Sequence, residues 1–400
     1  MGHDPSPFLF AMPEIRTVGM SRFEKMGQNC IFAVKIQTMT DLQSRTIDTL
    51  RFPLMLGVVF IHSAFMSYLY PDGRTVFDLE NKPVYSLAAY VFSDNLGQIA
   101  VPLFFFMSGY LFFYGNGGGF GWRGYLVKLK KRCRTLLVPY VVWNVVYALC
   151  FLAAQEFFPE AMSGRIKPLS ESGVLDILNL FWGVGNGDSP IAGQFWFIKY
   201  LMLMVVAAPL FYLLIARCPR AVVFAVAVAG VADNLFDVSG LWYTPVLFFG
   251  WGAYYSINGK EFVFSFRRIG NVALLLYPAV LALNILLFHL SGENPRLSLN
   301  VGVYVGLVAA VRAVSLLVGR RNFRVRAFFP RSSFFLFACH GIMCATLCKI
   351  AVKVVPADCD LMAVAVYFSI VFGVTAVCLA AYYVMDKYLP KLTAVITGGR

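Results

Sequence analysis

Apolar residues come in runs of membrane length along most of the chain. Stretches near the roughly 20 residues needed to cross a bilayer number ten: 48–70, 84–114, 135–155, 194–216, 221–238, 241–257, 271–290, 299–318, 332–354 and 361–386. The second is overlong and the fifth is short. No repeat of 20 to 50 residues is visible, and nothing marks a separable soluble domain. The pattern predicts an all-α, polytopic membrane protein with about ten transmembrane helices over residues 43–390. A polar extension at 1–42, read as poorly ordered, precedes it, and a short tail at 391–400 follows.

Two irregularities are legible inside this pattern. Pro102 lies in the interior of the second run, where it is expected to bend the helix and free a backbone carbonyl. The apolar part of 155–190, Val174 to Val184, is too short to span and is followed by the breaker-rich Gly185-Asn186-Gly187-Asp188-Ser189-Pro190. It reads as an interfacial or re-entrant helix.

Composition agrees with a membrane setting. Of 400 residues, 59% are hydrophobic and 14% charged, against about 25% charged in ordinary globular chains. The net charge of +13 does not point to nucleic acid, because the basic residues concentrate in loops between apolar runs. Four alternate loops (115–134, 217–220, 258–268 and 319–331) hold sixteen Lys and Arg, whereas the intervening ones hold five. The positive-inside rule then places both termini in the cytoplasm. Nine cysteines form no CxxC pair, so neither a metal site nor a disulfide framework is indicated.

Candidate chemistry begins in the first run, DTLRFPLMLGVVFIHSAFMSY, which carries an arginine and a histidine. Arg51 and His62 are eleven residues apart, so on a helix they share one face and lie roughly 16 Å apart along its axis. Ionisable groups within a span are candidates for function. Arg51, with Asp48 three residues before it and Pro53 after it in the expected first turn, also reads as an interfacial arginine. A neutral His62 could take a proton from a hydroxyl and return it, or be satisfied by a neighbouring helix.

Further candidates are spread along the chain. Ser108 and Gly109 form a small-residue surface among aromatics in VPLFFFMSGYLFF, suited to close helix approach. KLKKRCRTLLVPY gathers Lys131, Arg132 and Arg134 in a run free of acids, fit for a phosphate-bearing donor or for anionic lipid headgroups. Arg320, Arg321, Arg324, Arg326 and Arg331 form a second basic loop, which topology alone explains and which would also complete a donor site. Trp196 fits an aromatic belt, and Lys199 about a turn deeper is placed either to snorkel or to bind a polar substrate group. His340, eight residues inside the ninth run, is a further substrate-facing candidate or a structural histidine.

Taken together, DTLRFPLMLGVVFIH, VPLFFFMSGYLFF, KKRCRTLLVPY, QFWFIKYLMLMVVAAPL and SSFFLFACHG resemble, in order and spacing, the bacterial acyltransferase-3 membrane proteins that O-acylate cell-envelope carbohydrates. The resemblance covers about residues 44 to 386. It implies transfer of an acyl group, usually acetyl, from cytoplasmic acyl-CoA to a hydroxyl of an envelope polysaccharide or glycolipid in the bacterial inner membrane. It also implies that Arg51 and His62 are the family's catalytic Arg and His, Arg132 and Arg134 its Arg-rich inner loop, and Ser108 and Gly109 its second-span Ser-Gly pair. Such a reaction needs a base for the hydroxyl, a group for the thioester oxyanion and exclusion of water. The reading from another class is a transporter or flippase for a lipid-linked or acidic sugar, with Arg51, His62 and Lys199 along its path; the chain shows no related halves to support it.

Overall fold

A computed structural model describes residues 39–64, 82–115, 120–157, 173–183, 189–218, 243–292, 294–320, 323–354 and 359–399, and every regular element among them is helical. Among the described residues, six helices are long and apolar enough to cross a membrane, and a bent pair brings the number to as many as seven. Of the other three expected spans, one falls on a helix too charged to qualify, one on a 15-residue helix, Tyr243–Ile257, and 221–238 lies outside the described residues. Ten spans are therefore not established.

The charged helix is the first, α1, Asp41–His62. It starts seven residues before the apolar run because Thr40 caps it, its side chain accepting from the Gln43 N–H. Glu261 holds that cap from a distant loop, accepting from both the Thr40 N–H and hydroxyl at 2.9 Å. Pro53, expected in the first turn, is consequently interior to the helix. The other end is also displaced: α1 stops at His62 rather than running to residue 70, and 65–70 lie outside the described residues. His62 is thus the last residue of a helix.

The second helix, α2, Pro83–Phe113, is continuous but irregular. Its first turn is capped from another helix, since Asp360 accepts from the Val84 and Tyr85 N–H groups at 2.7 and 2.8 Å. A π-helical stretch, Tyr90–Leu96, and a 3-10 turn, Gly97–Ile99, lie just ahead of Pro102. Proline at 102 removes the N–H that would bond the Gln98 carbonyl, so the break sits where the expected bend belongs. Buried side chains satisfy the loosened turn: Asn95 donates to the Tyr90 carbonyl at 2.9 Å and accepts from Asn284 at 2.7 Å.

The third helix, α3, Trp122–Phe157, absorbs most of the basic stretch expected as a loop and passes through a π-helical turn at Cys133–Leu137. A short helix α4, Val174–Trp182, occupies the segment expected to be interfacial or re-entrant, and ends on Gly183 with φ +76°. Helices α5, Gly193–Val206, and α6, Ala208–Arg217, form the pair bent by 57°. Then follow α7, Tyr243–Ile257, α8, Arg267–Ser291, α9, Arg296–Val318, α10, Phe328–Val354, α11, Asp360–Tyr388, and α12, Pro390–Thr397. Residues expected as a tail therefore fold as α12, tied to α3 through Trp143 Nε1 donating to the Ile396 carbonyl at 2.9 Å.

The largest fully buried side chains are all tyrosine or phenylalanine. Helices α2 and α7 meet through reciprocal glycines: Gly109 lies against the backbone of Phe249 and Gly252 against that of Phe106, so close that a Cβ on either would enter the opposite carbonyl. This answers the small-residue surface at 108–109 in part with packing.

Candidate active site

A cavity of about 1110 Å³ runs along α1, which contributes Ile47, Arg51, Met55, Val58 and His62 from one stripe. Asp48, Arg132 and Arg331 line it with Arg51, and Gln98, Ser108, Gln194 and Trp196 also face it. Helix α2 runs antiparallel to α1, with Ser93 against Phe60 and Gly97 against Gly57. Ser108 therefore lies toward the Arg51 half and Gln98 toward the His62 half.

At the Arg51 end the charge is unbalanced. Arg51 pairs with Asp48 at 3.1 Å, both partly exposed, a contact of small worth by itself. Arg132 and Arg331 line the cavity together with Arg51, and Arg296 is a fourth guanidinium in its lining. Like charges gathered on one cavity are relieved by an anion, and the planar guanidinium matches phosphate oxygens. Of the expected cluster, only Arg132 reaches the cavity. Lys131 and Arg134 are exposed and absent from its lining, because successive helical positions turn through about 100°.

At the other end His62 faces the cavity and His340 stands behind it, the ring centroids 5.0 Å apart. His340 is fully buried, with Nδ1 against the carbonyls of Phe337 at 2.8 Å and Leu336 at 3.2 Å. The turn that carries it is held by two side chains absent from the expected set. Tyr147 donates its hydroxyl to the Ala338 carbonyl at 3.0 Å and accepts from the Ile342 N–H at 3.1 Å. Gln194 donates to the same carbonyl at 3.0 Å and also to the Tyr147 hydroxyl. Neither residue carries a sequence signal beyond being polar in an apolar run.

The position of His62 is set with equal care. Ser63 next to it is buried and lies 3.5 Å from Cys344 Sγ, while Cys348 Sγ approaches the Ser63 carbonyl at 3.9 Å. These contacts tie the end of α1 to α10, the helix of His340.

Lys199 is not part of the cavity lining. It is 3% exposed, and its ammonium donates to the Trp182 carbonyl at 2.9 Å and lies 5.6 Å from the Trp182 ring centre. A cation at the last carbonyls of α4 satisfies a helix end, which is a structural position. Trp196, by contrast, lines the cavity as well as packing on Tyr200.

Comparison with known proteins bears on what this arrangement does. The family model for the acyltransferase-3 type of acyltransferase domain matches residues 45–383. The chain is 23% identical over 368 residues to the succinoglycan biosynthesis protein ExoH of Rhizobium meliloti (strain 1021), covering 89% of this chain and 92% of that protein. No solved structure matches. A family match over most of the chain makes this an O-acyltransferase. The chain belongs to the acyltransferase-3 family of multi-pass membrane enzymes.

Proposed function

We propose that this enzyme moves an acyl group, most simply acetyl, from acyl-CoA to a hydroxyl of an envelope polysaccharide or its lipid-linked precursor. The observation that carries the reading is the shared cavity: Arg51, Arg132 and Arg331, with Arg296 the fourth guanidinium of the lining, share one space with His62, and the donor has anionic phosphates at one end and a thioester at the other. The CoA phosphates sit against Arg51, Arg132 and Arg331. The pantetheine arm follows the apolar wall of Met55 and Val58, covering the roughly 16 Å that eleven helical residues span. His62 takes the proton of the acceptor hydroxyl as its oxygen attacks the thioester carbonyl; the C–S bond breaks and the proton passes to the departing thiolate.

Several features support the details. The aliphatic Met55 and Val58 on the α1 wall suit the methyl of an acetyl group. The excess of Lys and Arg in alternate loops supports an orientation with the Arg51 end and both termini on the cytoplasmic side of the inner membrane. The Rhizobium relative is named for succinoglycan biosynthesis, which supports a polysaccharide as acceptor.

The test uses cells with and without the chain and mass spectrometry of their polysaccharide and glycolipid. An added acyl mass present only with the chain is expected. Identical glycans in both would overturn the reading. Supplying membranes with labelled acetyl-CoA and succinyl-CoA in parallel identifies the donor.

A further inference from the structure

The Nδ1 of His340 faces two backbone carbonyl oxygens, at 2.8 and 3.2 Å. A carbonyl oxygen only accepts, so Nδ1 carries a hydrogen and the neutral ring has its lone pair on Nε2. Nε2 is buried without a hydrogen-bond partner. An orphaned acceptor inside an apolar interior costs free energy and calls for a reason. What lies beside it is His62, with ring centroids 5.0 Å apart and planes inclined at 60°. Ring nitrogens lie about 1.1 Å from an imidazole centroid, so a ring-to-ring N–H···N bond of about 2.9 Å separates the centroids by about 5 Å. The centroid spacing is that of such a bond.

We infer that His340 is a positioning residue for the reaction: its Nε2 accepts a ring N–H of His62, which leaves the other ring nitrogen of His62 unprotonated toward the cavity. Resting on His62 being the base, the inference gives it the partner that a base–orienter pair requires. As His62 gains the acceptor's proton, its N–H becomes a stronger donor to His340 and the imidazolium is held without a formal counter-charge. A neutral imidazole in this position avoids the desolvation cost of a carboxylate within the span. The surrounding bonds serve the same end. Tyr147 and Gln194 fix the Ala338–Ile342 turn, and Ser63 with Cys344 holds the end of α1 to it.

The test compares three replacements in membranes containing the full chain, with labelled acetyl-CoA and succinyl-CoA as donors and the native envelope glycolipid as acceptor. His340→Phe keeps the shape and removes the acceptor. His340→Asn keeps a donor near Nδ1 but has nothing at the Nε2 position, whereas His340→Gln places an amide oxygen there. At equal abundance, Phe and Asn are expected to lower kcat at least about tenfold with KM for the donor within about twofold, and Gln to recover most of that loss. Should Phe prevent accumulation, Asn against Gln carries the comparison. Unchanged kcat in Asn, a change in KM alone, or Gln as impaired as Asn would each overturn the inference. If wild-type membranes transfer neither acyl group, it is the proposed function that fails.

Discussion

Ser93 donates its hydroxyl to the carbonyl of Phe60 at 2.7 Å, two residues before His62. Because serine has a single hydroxyl hydrogen, the Tyr367 hydroxyl 2.6 Å away must be the donor in their contact. The last carbonyls of a helix lack internal partners, so this buried chain from α11 through α2 helps to define where α1 ends. Replacing Ser93 by Ala is expected to cost about 1 kcal/mol or more by leaving buried groups unsatisfied. Transfer activity should fall further than abundance, because His62 stands next to the loosened end. Thermal unfolding in detergent beside the transfer rate measures the two effects.

Removal of the base is the more severe change. His62→Ala is expected to abolish transfer, with membrane abundance near that of the wild type, since the side chain is only partly buried. Label incorporated into envelope glycan, together with immunoblotting of membranes, is the measurement. Retained transfer would remove His62 from the mechanism.

The guanidiniums are separable from their neighbours. Arg51→Gln, Arg132→Gln and Arg331→Gln should each raise KM for acyl-CoA, about tenfold for loss of a charge-assisted phosphate contact, with a weaker salt dependence than the wild type. Lys131→Ala and Arg134→Ala lie outside the cavity lining and should leave KM within about twofold. Titration of donor binding at two ionic strengths distinguishes the sets.

Lys199 offers a test of a different kind. Lys199→Met removes the ammonium at the Trp182 carbonyl, and stability is expected to drop by about 1 kcal/mol. KM for the glycan acceptor should stay within about twofold in the folded fraction; a large rise would return Lys199 to substrate binding.

At the crossing of α2 and α7, Gly252→Ala and Gly109→Ala force backbone apart and are expected to cost about 1–3 kcal/mol or more. Ser108→Ala, one position away and facing the cavity, should accumulate normally. Protein yield in membranes and unfolding temperature check the contrast.

Much of this was legible before the fold was known. Long apolar runs marked the helices, and the eleven-residue interval predicted that Arg51 and His62 share a wall, as they do. Three things were hidden for physical reasons. The cap that Glu261 supplies from afar to Thr40 goes with a start of α1 seven residues before the apolar run and leaves no local pattern. The basic run at 128–134 reads as one cluster in sequence, whereas helical rotation sends Arg132 to the cavity and its neighbours elsewhere. His340 stood out as a histidine in a family-like stretch, but its closeness to His62 was not legible, since the two are nearly three hundred residues apart in the chain.

The stripe on α1 has a consequence for how the gene can change. Each added residue would advance His62 by about 1.5 Å and swing it through about 100°, away from both the cavity and His340. Side chains between Arg51 and His62 can be exchanged while they remain aliphatic, but their number cannot. Deletion or insertion of a single codon there should be as damaging as loss of the histidine, in a segment where most conservative substitutions pass unnoticed.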